Sequence, residues 1–371
     1  MKLPRFELER YFARHEFSAR KLLCCSDCET ITIKSLLNLE KGRLNAFLNL
    51  SLGYTEAEGA PGLRKEIARL YRGLGPENIL VHAGAEEAIF TYLNVVLAPG
   101  DHAAVVHPCY QSLSETARGI GAEVSAWPAR PENQWRLDLA DLKKVLRPNT
   151  KAVVVNSPHN PTGAVLDAKT AAGLAALADA HGFLIFSDEV YRFLEYEPPI
   201  PAPSLADLTP RATALGVMSK SFGLAGLRIG WAATQNRDIL EKMAGFKDYL
   251  TICNPGPSEF LAETALVNKE VLLERNRRII GENLALLDVF FAKWTDLVAW
   301  NRPQAGPIGF PIWKGPGTAD DFCRAFLEES GTLLLPGNMY GREFDRHFRL
   351  GFGRKNMPAA LACLDDFLEK V

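Results

Sequence analysis

Between Asn78 and Trp231 the chain alternates short, unbroken apolar runs with amphipathic stretches of helical length. The runs are Asn78 to Val81, Ala103 to Val106, Ala152 to Val155, Phe183 to Phe186 and Ala214 to Met218. Helical stretches follow over Ala85 to Leu97 and over the alanine-rich Ala168 to His181. A strand apolar at every position needs cover on both faces. The alternation therefore predicts an α/β fold, a mainly parallel sheet sandwiched by helices. The C-terminal part reads differently. A long helical pattern from Ser258 to Trp294 precedes a Pro/Gly-rich passage, a helix near Ala319 to Glu329, strands at Leu333–Leu335 and Phe348–Leu350, and a closing helix from Pro358. At 371 residues the chain exceeds one simple core. Residues 45–260 read as a large domain, with 1–44 and 261–371 forming a smaller α+β domain.

Composition narrows the function classes. A formal net charge of −2, with no long basic run, argues against nucleic-acid and membrane-surface roles. No apolar run approaches the roughly 18 residues of a membrane span. The first residues, Met1 to Glu7, lack the apolar stretch of a signal peptide. A cytoplasmic location is the expectation. Seven cysteines, an odd number in a chain this long, do not make a disulfide scaffold. Cys25 and Cys28 form a C-x-x-C without a second ligand pair at metal spacing, so no metal site is expected.

The polar residues fall at the strand ends, where open α/β sheets bind ligands. After the first run, Gly84 opens a helix whose Ala85 and Glu86 amides suit a phosphate. After the second comes Tyr110, able to stack on a planar ring. After the third, two X-Pro steps and a glycine stiffen Asn156 to Gly163, and the Asn160 side chain can donate to a phenolate oxygen. After the fourth, Asp188 can pair with a protonated pyridine nitrogen, with Tyr191 placed one helical turn on. The fifth ends at Ser219-Lys220. A desolvated lysine there can form a Schiff base with an aldehyde, and Ser219 and Arg228 suit a phosphate. Each residue alone has an ordinary structural explanation. Five concerted strand ends describe a site for pyridoxal 5′-phosphate.

With Asn160 to Gly163, Ser187 to Tyr191 and Ser219-Lys220 through Arg228 in place, the chain resembles the class I/II aminotransferases of the aspartate aminotransferase fold, PLP-dependent fold type I. The resemblance runs from about Leu48 to the C-terminus. It implies that Lys220 carries the cofactor and moves the proton, that Asp188 keeps the ring nitrogen protonated, and that Asn160 and Tyr191 bind the phenolic oxygen. It further implies Tyr110 against the ring, and Ser219, Arg228 and the Gly84–Ala85–Glu86 turn around the phosphate. Arg349 corresponds to the grip on the substrate α-carboxylate, with Arg354 a weaker candidate. Tyr54 corresponds to a tyrosine that reaches a neighbouring subunit's phosphate, which implies a homodimer with shared sites. Asn254 lies in a segment that often crosses the same interface.

Two passages depart from the family pattern. Cys24 to Glu29 stands where relatives carry a short substrate loop, and its Asp27 would favour a basic or hydroxylated side chain. Gln304 to Pro311 replaces a Gly-aromatic passage. Both resemble a capreomycidine-synthase-like subgroup that eliminates and cyclises. The leading expectation is transfer of an amino group between a small amino acid and a 2-oxo acid. The alternative is a lyase or cyclase acting on a polar or basic amino acid. A transcriptional ligand sensor is disfavoured, because such sensors carry a DNA-binding domain ahead of this fold.

Overall fold

The computed structural model describes residues 1–196 and 203–371. Its centre is a seven-stranded sheet. In spatial order the strands are Ile79–His82, Gly230–Thr234, Ala212–Val217, Leu184–Asp188, Thr150–Asn156, His102–His107 and Glu123–Pro128. The last five in this order run parallel to one another, while Gly230–Thr234 is antiparallel to both its neighbours. The mainly parallel sheet expected from sequence is present. Its five expected strands become seven. Glu123–Pro128 was not legible because it is a half-exposed edge strand. Gly230–Thr234 was missed because Gly-Trp-Ala-Ala-Thr has little β-branched signal.

The unbroken apolar runs have the predicted cause. Val154 packs into one core with Tyr92, Leu113 and Leu284, while Val153 and Val155 enter another with Leu142, Leu174 and Ala178. Successive residues of one strand thus fill opposite faces, each roofed by helices. At the antiparallel end, Ile79 and Val81 join a third core with Leu63, Ile67 and Leu261.

The expected single helix from Ser258 to Trp294 is two, Gly256–Val267 and Lys269–Lys293, separated by Asn268 at φ −104°, ψ 23°. The continuous apolar periodicity hid this break. The Leu333–Leu335 strand is likewise split, into Thr332–Leu333 and Leu335–Pro336. Leu335–Pro336 pairs with Phe348–Gly351, which also pairs with Ile308–Gly309.

The N-terminal segment is laced onto this C-terminal sheet. Lys21–Leu22 pairs in parallel with Thr332–Leu333. Gly351 N–H donates to the Leu23 carbonyl at 2.8 Å, and Glu29 N–H to the Gly353 carbonyl at 2.8 Å. Gly351 permits this closeness, since an added Cβ would overlap the Cys25 carbonyl. The lacing carries Ser26 to the sheet's ligand-binding edge. Further along, Leu36 and Leu37 bury into the core formed by Leu63 and Leu261.

Gly351→Ala should therefore destabilise the protein by about 2 kcal/mol or more, the usual cost of overpacking backbone. A urea unfolding midpoint equal to that of the wild type would contradict this packing.

Candidate active site

A cavity of about 480 Å³ opens at the carboxyl ends of the parallel strands. Its lining includes Ala85, Glu86, Tyr110, Asn160, Asp188, Tyr191, Ser219, Lys220, Arg228 and Arg349. Residues far apart in sequence meet there because several strands deliver them to one edge of the sheet, Asp188 and Tyr191 from one strand, Ser219 and Lys220 from the next, and Arg349 from a strand of the C-terminal part.

Lys220 lies three residues past Ala212–Val217. Its Nζ donates to Ser26 Oγ at 2.9 Å. Burial disfavours the ammonium and lowers its pKa, an effect offset in part by Asp27 and Glu9. A lysine whose proton is loosened this way can serve as a nucleophilic amine. Asp188 ends Leu184–Asp188 and is buried. Burial pushes its pKa up to about 7, against the pull of the Val190 N–H and Lys220. Among the described residues its carboxylate accepts one hydrogen bond, from Val190 N at 3.2 Å. A protonated heterocyclic nitrogen would supply the charge this carboxylate lacks.

Tyr191 is not on a helix, as the sequence spacing suggested. Residues 190–193 form a turn that ends at Phe193 with φ +77°. The turn still brings Tyr191 into the cavity wall, 1% exposed, where its hydroxyl makes no hydrogen bond to any described residue. Asn160 Oδ1 accepts from the Tyr340 hydroxyl at 2.9 Å. That leaves its amide nitrogen as the end available to a ligand oxygen.

The phosphate end is equally well defined. Gly84 caps the helix Ala85–Val96 at φ +93°, and an added Cβ there would stand 2.5 Å from Arg228 Nη2. The missing side chain lets the guanidinium meet the free amides of the helix N-terminus. Glu86 turns its carboxylate to Ser112 Oγ, 3.0 Å away. Ser219 completes this side.

Arg349 is 1% exposed. Its Nη1 donates to Tyr340 Oη at 2.7 Å, and its Nη2 and Nε donate to the Cys24 carbonyl at 2.9 and 3.2 Å. A guanidinium fixed this firmly, with no carboxylate partner among the described residues, suits an incoming carboxylate. Arg354 is committed elsewhere, in a bidentate pair with Asp27 at 2.8 and 3.1 Å. Asp27 accordingly does not line the cavity, and the free acid expected at the substrate entrance is neutralised. The Gln304–Pro311 passage also stays outside. The Gln304 and Ala305 amides donate to the Gly163 carbonyl, and Gly306 N–H to Leu194, behind Tyr191.

Several lining residues were not legible in the sequence. The helix Glu7–His15 covers the cavity with Phe6, Leu8, Glu9 and Phe12. Tyr110 is tied to this cover, its hydroxyl donating to Glu9 Oε1 at 2.5 Å and its ring 5.1 Å from Phe6. Ser26 and Tyr340 were also missed. Ser26 sat in a cysteine-rich cluster that drew attention to its thiols, which are free and buried at Cys24, Cys25 and Cys28. Tyr54 is 94% exposed and Asn254 is buried, its amide bonded to Glu259 at 3.1 Å. Neither enters the cavity of its own chain.

A partnerless buried hydroxyl, an under-bonded buried carboxyl, a deprotonation-prone lysine and a glycine-opened anion cradle together fit pyridoxal 5′-phosphate. These features define a PLP-dependent enzyme. The chain belongs to the class I and II aminotransferases, whose family model matches residues 40–362. A capreomycidine synthase of Streptomyces vinaceus is 30% identical over 372 residues, covering 99% of this chain and 94% of that one. A PLP-dependent aminotransferase structure from Streptococcus suis superposes with a TM-score of 0.94 at 34% identity, covering 100% and 99%. The PLP-dependent cyclase OrfR superposes at 0.92 with 28% identity, covering 100% and 98%. Among the described residues, no helix is long and apolar enough to cross a membrane.

The Asp188 environment sets a pH dependence for the cofactor-free protein. A carboxyl whose folded pKa is raised adds stability that is full below its unfolded pKa of about 3.9 and is lost as pH rises through about 7. Asp188→Asn should flatten this slope, by up to ~4 kcal/mol across the interval. Denaturant unfolding at pH 5 and pH 8 checks it, and equal slopes in the two proteins would contradict the assignment.

Proposed function

We propose that this enzyme transfers the amino group of an amino acid to a 2-oxo acid. The observation that carries the reading is the joint placement of Lys220, Asp188 and Arg349 on one cavity wall system. Arg349 would hold the α-carboxylate of either partner, so both half-reactions can use one site. Bound pyridoxal phosphate would supply an electron sink for the α-carbon electrons. The protein's part is then proton movement and orientation. Lys220 Nζ, with its proton loosened by burial, would take the α-proton and return it to the cofactor side. Ser26 Oγ gives that amine a resting partner when it is free. Asp188 would hold the ring nitrogen's proton, Asn160 and Tyr191 the phenolic oxygen, and Ser219, Arg228 and the Ala85–Glu86 amides the phosphate. Tyr110 would border the ring. The cover of Phe6, Leu8 and Phe12 would exclude water.

A second reading, elimination with ring closure, is favoured by the likeness to capreomycidine synthase over 99% of this chain. The same residues would serve it, because the outcome would depend on what leaving group the substrate carries. The visible absorbance of the loaded protein, titrated with single amino acids and no oxo acid, separates the two. Transfer predicts loss of the visible band, restored by a 2-oxo acid. Turnover with ammonia or a cyclic product, and no need for an oxo acid, would replace the first reading by the second.

The reading includes a homodimer with shared sites. Tyr54 stands 94% exposed with Leu52 at 83%, and Tyr249 at 90%. Thr55 Oγ1 donates to the Asn254 carbonyl at 2.8 Å, bringing the two segments together. Thr251 Oγ1 donates to Glu87 Oε1 at 2.7 Å, joining that surface to the phosphate-end helix. A second copy seated there would bring its Tyr54 toward the partner's phosphate. Tyr54→Phe should then weaken cofactor binding about tenfold, the equivalent of ~1.4 kcal/mol, with the dimer intact by sedimentation. A monomer that retains cofactor as tightly would contradict it.

A further inference from the structure

The turn at Gly84 is a helix start without the usual cap. Helices leave their first amides unpaired, and a Ser, Thr, Asp or Asn side chain ordinarily accepts from one of them. Gly84 holds that position ahead of Ala85–Val96 and offers no side chain. The amides of Ala85 and Glu86 stay free for an anion, but the turn loses an anchor. Its front rests on the neighbouring strand. An added Cβ at Gly230 would stand 2.7 Å from the Gly84 carbonyl carbon and 2.9 Å from the Ala85 nitrogen.

Glu87 supplies the anchor from behind. It is the third residue of the helix, from which a carboxylate can reach back past the helix start. Its Oε2 accepts from the Ala83 N–H at 2.6 Å, and its Oε1 from the Thr251 hydroxyl at 2.7 Å. The Gly84 N–H donates to the His82 carbonyl at 2.8 Å. The His82 ring is fully buried, and neither of its nitrogens has a hydrogen bond among the described residues. Its Nδ1 lies 3.5 Å from Glu87 Oε2. Burial pushes the Glu87 pKa up, but the imidazole, the Ala83 N–H and the Thr251 hydroxyl outweigh it and bring the value down to about 2. Glu87 is therefore an ionised carboxylate with both oxygens engaged by residues flanking the turn. It does not line the cavity, and the reading above gives it no task.

We propose that Glu87 is a positioning residue for the cofactor's phosphate, clasping the turn at Ala83 to the loop at Thr251 so that the Ala85 and Glu86 amides stay aimed at the anion. The inference rests on the reading of that turn as the phosphate seat. A side-chain acceptor at Gly84 itself would compete with the phosphate for the same amides. An acceptor that takes the amide one residue earlier fixes the backbone and leaves them free.

The test titrates cofactor-free protein with pyridoxal phosphate and with pyridoxal, which lacks the phosphate, and reads both affinities from the visible absorbance. Glu87→Ala should weaken pyridoxal phosphate about tenfold, the effect of losing hydrogen bonds to a charged group, and leave pyridoxal unchanged. In Glu87→Gln the amide oxygen can still accept from Ala83 and the amide nitrogen can donate to Thr251. Its affinity for pyridoxal phosphate should return to within about threefold of the wild type. Thr251→Val, at an exposed position, cuts the clasp at its far end and should cost about threefold, again for pyridoxal phosphate alone. This variant keeps the test decisive should Glu87→Ala not fold. An equal loss of both ligands would reduce Glu87 to a structural role and overturn the proposal. So would undiminished affinity in Glu87→Ala and Thr251→Val, or a Glu87→Gln protein as weak as Glu87→Ala. A wild type that binds pyridoxal as tightly as pyridoxal phosphate would overturn the phosphate seat itself, and the proposal with it.

Discussion

Desolvation of a few charged groups governs this molecule. Lys220, Asp188 and Arg349 are withdrawn from water at one sheet edge, and each shows a consequence. The amine holds its proton less firmly, the carboxyl pKa rises to about 7, and the guanidinium is braced by a carbonyl and a tyrosine. Burying groups of this kind without full partners costs stability. The fold tolerates that cost because the surrounding sheet is packed on both faces. A cofactor that binds here would supply the missing partners and recover part of it.

The scaffold and the cover have different origins. The strand ends arise from local sequence, each strand delivering one or two residues to the edge. The cover depends on long-range pairing, with Lys21–Leu22 beside Thr332–Leu333 and Cys24 beside Arg349. Sequence reading captured the first and missed much of the second. Lys220, Asp188, Asn160 and Arg228 were legible because strand-then-polar punctuation marks them. Ser26, Glu9, Phe12 and Tyr340 carry no such mark, since contacts with residues distant in sequence, Lys220, Tyr110 and Arg349, hold the first three at the site. Asp27 shows the reverse error. Its charge was visible, but its neutralisation by Arg354, 327 positions away, was not.

The same distinction separates chemistry from specificity. Cofactor handling is written into the strand ends and is common to enzymes of this family. On the proposed reading, what the site accepts would be set in part by the helix Glu7–His15, which lines the cavity with Leu8, Glu9 and Phe12. On the proposed reading, amino-group transfer and elimination would share every strand-end residue, and the substrate's leaving group would decide between them.

The central claim is that Lys220 is the one amine poised to bond the cofactor. Borohydride reduction of the pyridoxal-phosphate-loaded protein, followed by peptide mass mapping, tests it most directly. The account predicts a single phosphopyridoxyl label, on the peptide containing Ser219-Lys220-Ser221. A label on another lysine, or none at all, would contradict it.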